Sequence, residues 1–297
     1  MIEFHADDYG ISIPSGDRIL RCYEEGVLNG ISLMPNGESL KECMKRYFEA
    51  VEKRKKKCLL SVHINLYNGY ALTERKEVPH LTDGDDLFTV TFGKLLFWSC
   101  CPVLHGIIKK EIKNELRSQI GACLPYFKKT GQKLRIDGHC HFTMTPIVYD
   151  ALQEVIREDG LSVEYIRFPV EDVKLYRKMR PQMEEFLPVN RLKAGILHML
   201  AKRNLKKWKT GNLRKKKYAG VMLSGRMTLK NVTAILSYIE ENEKERDWEI
   251  AFHPGAIYEE EDRHLLTAKG DVDFITSRWR EKEAEALIAL RKRGYGS

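Results

Sequence analysis

Met1-Ile2-Glu3-Phe4-His5-Ala6-Asp7-Asp8-Tyr9-Gly10 opens the chain and joins two signals. Met1 to Phe4 reads as a strand, and behind it stand an imidazole, two adjacent carboxylates and a glycine turn. A helix is expected next, from about Ser15 to Leu28, with Ile19, Leu20, Tyr23 and Val27 at helical spacing. Ile31 to Met34 gives a second strand, a charged helix spans about Leu40 to Lys55, and Cys58 to His63 gives a third strand. Further strands are predicted at Leu134 to Ile136, Val163 to Ile166, Ala219 to Leu223 and Trp248 to Phe252. Helices are predicted over about Ile107 to Lys128, Ile147 to Arg157, Leu229 to Asn242 and Thr276 to Arg293. Strand–helix alternation from end to end predicts an α/β fold in which helices cover a parallel sheet, most simply a barrel. No fixed-period repeat divides the chain, so one domain is expected over residues 1–297. Two interruptions, about 67–105 and 171–217, are too long for plain connections and read as lids or helical insertions.

Composition narrows the partners. The 297 residues carry 50 Lys and Arg against 42 Asp and Glu, a formal charge of +8. Eleven basic residues and no acid lie between Arg191 and Lys217; the rest of the chain holds 39 basic and 42 acidic side chains, a net of −3. The body is therefore near-neutral with one basic segment, and the charge does not describe the whole surface. The first residues leave no room for a secretory leader, and the longest apolar run, Leu95 to Leu104, is half the length of a spanning helix. Seven cysteines, odd in number and without Cys-x-x-Cys spacing, disfavour a disulfide framework or a zinc ribbon, so a cytoplasmic location is expected.

Four sites place polar, metal-competent residues where a predicted strand stops, on the face where the carboxyl ends of parallel strands converge. Asp7 and Asp8 can divide labour, one binding a cation and the other acting on water, although a solvated turn explains such a pair equally. His63 ends the third strand in Ser61-Val62-His63-Ile64-Asn65, where a hydrogen-bonded core histidine is the plainer reading. Asp137-Gly138-His139-Cys140-His141 is expected to project both imidazoles to one side of an extended segment, with Cys140 pointing the other way. In Phe252-His253-Pro254-Gly255 a turn would fix the ring of His253. Taken together, these sites favour a carboxylate with two imidazoles and open positions, a catalytic divalent-metal arrangement.

These residues resemble the YdjC/ChbG-like carbohydrate deacetylases. The family's opening Asn-Ala-Asp-Asp-Phe-Gly is similar to His5-Ala6-Asp7-Asp8-Tyr9-Gly10, and its Gly-x-His-x-Asn-Leu-Thr to Ser61-Val62-His63-Ile64-Asn65-Leu66-Tyr67. Its Asp-Ser-His-x-His-x-His followed by proline resembles Asp137 to Thr143 with Pro146 in step. Its Arg-x-Pro-x-Glu matches Arg167 to Glu171, and its His-Pro-Gly matches His253 to Gly255. The resemblance implies a distorted TIM-like barrel, often dimeric, with Asp8, His63 and His139 holding one divalent ion, magnesium or zinc. It implies Asp7 as general base, His253 as acid, and Asn65, His141 and Glu171 on the substrate side. Here His5 replaces Asn, Tyr67 replaces Thr, and Thr143 stands where the third histidine would be.

The implied reaction is hydrolysis of an N-acetyl group from an amino sugar, oligosaccharide or glycoconjugate. A metal would activate water and the carbonyl, Asp7 would take the water's proton, and His253 would protonate the departing amine. Arg167 would orient Asp7 or bind a sugar oxygen; a surface salt bridge with Glu171 is the competing reading. The Arg191–Lys217 segment reads either as a solvated helix face or as a patch for an anionic lipid, a phosphate-bearing carrier or an acidic glycan. Nucleic acid is not the expected partner, since the segment carries one aromatic, Trp208, and no recognised binding signature. A two-metal phosphodiesterase and a non-catalytic sugar binder are the remaining alternatives.

Overall fold

The computed structural model describes residues 1–184, 187–208, 213–242 and 247–296. Among them seven strands form one parallel sheet: β1 (Ile2–Tyr9), β2 (Gly30–Leu33), β3 (Leu59–Ile64), β4 (Leu134–Gly138), β5 (Val163–Ile166), β6 (Lys217–Ala219) and β7 (Trp248–Phe252). Their order is β5-β4-β3-β2-β1-β7-β6. The helices are α1 (Ile13–Glu25), α2 (Leu40–Arg54), α3 (Phe92–Cys100), α4 (Pro102–Thr130), α5 (Pro146–Glu158), α6 (Val173–Met179), α7 (Pro188–Lys207), α8 (Leu229–Asn242), α9 (Lys269–Ile275) and α10 (Trp279–Lys292). The sheet curls into a half-barrel consistent with a TIM-like barrel. Its edges approach each other where Glu171 and Tyr218 form a parallel bridge and the Arg214 amide donates to the Glu164 carbonyl at 3.0 Å.

Period-two alternation sorts the strand side chains. Phe4, Ala6, Ile31, Leu33, Leu60, Val62, Ile136, Ile250 and Phe252 join the main hydrophobic core. The alternate positions Glu3, His5, Asp7, Ser61, His63, Arg135, Asp137 and Glu249 are also buried, yet they are polar. Branched apolar residues usually fill such an interior; here ion pairs do. Arg135 donates to Glu3 at 2.5 Å, fully buried Lys216 donates to the other Glu3 oxygen, and Glu249 accepts from Tyr165 and Arg167, each at 2.5 Å.

Two of the boundaries that move bear on the site. The first strand does not stop at Phe4 but runs to Tyr9, so Asp7 and Asp8 sit on the strand itself. The strand expected over Ala219 to Leu223 ends at Ala219, because the Glu171 carboxylate takes the amides of Gly220, Val221 and Met222 from the ladder.

The stretch 67–105 contains α3 and the start of α4, and 171–217 contains α6 and α7. The apolar run from Leu95 buries Leu95 and Trp98 and leaves Phe97 and Val103 exposed. Among the described residues no helix is long and apolar enough to cross a membrane. The basic segment is less of a free patch than its sequence suggests. Arg203 and Lys207 both pair with Asp150, Arg214 pairs with Asp247, and Lys216 is inside the barrel; Lys209 lies outside the described residues.

Candidate metal centre and active site

Adjacent residues on a regular strand point to opposite faces, so Asp7 and Asp8 reach one site only through a local irregularity. The β1–β2 register shifts between Ala6 and Tyr9, and Asp8 adopts φ 71°, left-handed backbone that is costly for a non-glycine residue. Gly10 follows at φ 109°, where a side chain would also press on the Leu40 backbone. The bulge turns Asp7 toward the β5 side and Asp8 toward β3 and β4.

Asp8, His63 and His139, all buried, offer one ligand atom each within 4.8 Å of one another. Asp8 Oδ1 lies 3.5 Å from His63 Nε2 and 3.1 Å from His139 Nδ1. The other nitrogen of His63 pairs with Asp137 Oδ1 at 2.6 Å, leaving Nε2 directed at Asp8. Arg280 fixes the other Asp8 oxygen from 3.0 Å. Burial disfavours a charged imidazole at His63, yet the Asp7 and Asp137 carboxylates and hydrogen bonds to Asp137 and Asp8 raise it to about 9. The surroundings thus favour positive charge at this point, and one carboxylate with two imidazoles fits a divalent ion.

The histidine pair does not lie on an extended segment. His139 to Met144 form a 3-10 turn in which Cys140 and His141 take φ 50° and 59°. That turn keeps His139 beside Asp8 and swings His141 toward Tyr218, with ring centroids 6.3 Å apart. Burial, reinforced by Lys193 and Arg167, holds the His141 imidazole well below its ordinary range, so it is neutral.

Asp7 is gripped from two sides by Arg167, Nη1 to Oδ2 at 2.8 Å and Nη2 to Oδ1 at 2.9 Å. Burial pushes its pKa up, but the Arg167 charge and neighbouring imidazoles outweigh this and keep it ionised. Arg167 is buried and also reaches Asp137 and Glu249. It forms no surface pair with Glu171, whose oxygens accept from Tyr176 and the 220–222 amides. Asn65 is likewise committed to its own loop, accepting from the Tyr67 and Asn68 amides and donating to Asn36 and the Asn68 carbonyl.

His253 Nε2 faces Asp7 Oδ2 at 3.9 Å, and its Nδ1 has no hydrogen-bond partner among the described residues. Glu283 Oε2 stands 3.9 Å from that nitrogen while accepting the His253 amide at 2.6 Å. Burial pushes His253 down to about 4 and Glu283 up to about 7. Asp7, His63, His139, His141 and His253 line one pocket of about 250 Å³, with Lys193 on its rim.

Arg280 and Glu283 were absent from the sequence reading. Their signal is positional: they fall on the buried stripe of α10 with Ala286, Leu287 and Leu290, where a charged residue needs a buried partner.

Known proteins resemble this chain in sequence and in fold. The family described as YdjC-like protein matches residues 1–293. A carbohydrate deacetylase from Danio rerio is 28% identical over 171 residues, covering 56% of this chain and 48% of that protein. One from Brevibacillus brevis is 29% identical over 162 residues, covering 54% and 57%. The chain thus matches about half the length of these relatives. A crystal structure from Enterococcus faecalis, of a protein provisionally named for cellobiose-phosphate cleavage, superposes with a TM-score of 0.61 at 17% identity, covering 99% of this chain and 94% of that one. That likeness concerns the fold alone; the match over residues 1–293 shows that the chain belongs to the YdjC-like family.

Proposed function

We propose that the protein is a metal-dependent carbohydrate deacetylase that hydrolyses the acetamide of an N-acetylated amino sugar. The observation that carries this reading is the convergence of Asp8, His63 and His139 on one point, beside the Arg167-held Asp7 and the buried His253. Asp8, His63 and His139 would hold one divalent ion, which supplies Lewis acidity toward an amide carbonyl and toward water. Arg167 keeps Asp7 ionised and oriented, so that an Asp7 oxygen accepts a proton from the attacking water. His253 is neutral at rest. Its Nε2 lies close enough to Asp7 to receive that proton after a small shift and pass it to the amine nitrogen as the C–N bond breaks. The proton lost by water is thereby returned to the leaving group. The named function of the relatives supports the same assignment.

The two-metal phosphodiesterase reading needs a second cation site. The other candidate cluster among the described residues, His5, Asp7 and Asp137, already has the Arg167 guanidinium bridging its two carboxylates at 2.9 and 3.1 Å. Magnesium or zinc, a cytoplasmic location suited to seven free thiols, and a homodimer complete the proposal.

The test is acetate release from N-acetylglucosamine oligomers and conjugates, with and without chelator. Chelator-sensitive release is expected; no release from the metal-loaded protein across the panel would overturn the reading. Asp8→Ala and His63→Ala should each lose bound metal by elemental analysis, and full retention would overturn the ligand assignment.

A further inference from the structure

Beside the catalytic pocket lies a second cavity of about 390 Å³. Tyr67, Phe92 and Phe142 form one wall, and Val189, Leu192 and Ile196 of α7 form the other. Cys140 and Lys193 line both cavities, so the two adjoin each other. Tyr67 joins them physically. Its ring stacks on His139 with centroids 6.3 Å apart and meets Phe142 at 5.4 Å, and Phe92 packs edge-on against Phe142 at 5.8 Å. Tyr67 is also a position where this chain departs from the Thr of the resembling motif.

The chemistry of the lining selects its occupant. Polar side chains in the lining are few, namely Lys193 at the junction, Thr91, whose hydroxyl caps α3 by accepting the Lys94 amide, and the Tyr67 phenol, so most of the wall offers nothing to a hydroxyl-rich ring. A hydrocarbon chain gains from covering such a wall, whereas a sugar's hydroxyls would find few protein partners there. The α7 wall is open to water: Val189 and Leu192 are 63% and 67% exposed, unusually high for large apolar residues side by side on a helix that flanks a pocket. An apolar chain laid along the wall would cover them while its attached sugar reached His63 and His139 through the shared rim.

We propose that this cavity binds an apolar aglycone, an alkyl or prenyl-type chain carried by the N-acetylated sugar, so that the preferred substrate is a glycolipid rather than a free oligosaccharide. This rests on the deacetylase reading for the sugar end. The chain enters from the α7 side, the glycosidic linkage passes Lys193 and Cys140, and the acetamide lies among Asp7, His63, His139 and His253.

The test compares octyl N-acetyl-β-glucosaminide, below its micelle concentration, with the methyl glycoside and di-N-acetylchitobiose. Binding is read by calorimetry, with and without chelator, and acetate release is read separately. Octyl glycoside is expected to bind at least about tenfold more tightly than methyl. Val189→Gln with Leu192→Gln should collapse that ratio toward one. Met199→Gln, an equally exposed apolar site of α7 outside the cavity, should leave it intact. An octyl-to-methyl ratio near one, no measurable octyl binding, a ratio that survives the double variant, or tighter binding of chitobiose than of octyl glycoside would each overturn the proposal. Absence of acetate release from every sugar, with octyl-selective binding retained, would overturn the deacetylase reading and leave the cavity assignment standing.

Discussion

The inside of the barrel and the α7 wall flank adjoining cavities and are built on opposite terms. Inside, Glu3, Asp7, Asp137 and Glu249 face Arg135, Arg167 and Lys216, every one of them buried and each held by its neighbours. On the wall, Val189 and Leu192 are mostly exposed to solvent. A buried charge network is satisfied only when each partner is in place, so it holds its side chains closely. An exposed apolar wall is free to vary, so it can adapt to a ligand without disturbing the chemistry next door.

That contrast can be broken by substitution. Arg167→Met removes the cation between Asp7, Asp137 and Glu249, and should destabilise the fold by about 3–5 kcal/mol in urea unfolding. Arg167→Lys, which restores charge without the two-pronged grip, should recover part of this. A loss below about 1 kcal/mol for Arg167→Met would show that water relieves the interior and would remove the basis of the comparison.

Glu283→Gln probes the same network through pH. The native carboxyl keeps its proton up to about 7, against 4.5 in the unfolded chain, so the native state binds the extra proton between those values and wild-type stability falls as pH rises through them. The variant should match wild type below about pH 4.5 and gain on it progressively, reaching on the order of 3 kcal/mol by pH 7. A pH-independent difference would mean that Glu283 is not the group titrating there.

Asp137→Asn should weaken metal binding by roughly 10–100-fold, since the amide cannot polarise His63 as the carboxylate does. The smallest effect sharpens the contrast from the other side. Leu192→Gln should change stability by no more than about 0.5 kcal/mol, as befits a residue exposed by 67%. A large loss there would show that the wall is structural.

Much of the site could be read from residue order. The strand-end positions of His63, His139 and His253, and the Asp7–Asp8 pair, follow from the alternation of strands and helices that also gave the α/β fold. What local pattern could not show is geometry made by distant partners. The bulge that brings Asp7 and Asp8 to one site depends on how β1 pairs with β2, and the 3-10 turn at His139 leaves no periodic trace. Residue order ends the first strand early because His5, Asp7 and Asp8 read as a polar exit, whereas they are buried against Ser32, Arg167 and Arg280, which lie from 27 to 272 residues away. Within the basic segment, Arg203 and Lys207 share Asp150, Arg214 pairs with Asp247 and Lys216 with Glu3, partners on other elements that residue order does not reveal.

The polar interior also constrains how this chain can change over time. From Lys216 the contacts run through Glu3, His5 and Ser32 to Asp137 and His63, so the far mouth of the barrel is linked atom by atom to the candidate metal centre. Replacing one charged member of that path strands its partner, and a matched second replacement restores balance. The barrel's inner residues are therefore expected to drift as compensated sets, while α7 accumulates independent changes. New substrate preferences can then arise on the helix without any revision of the chemistry beneath it.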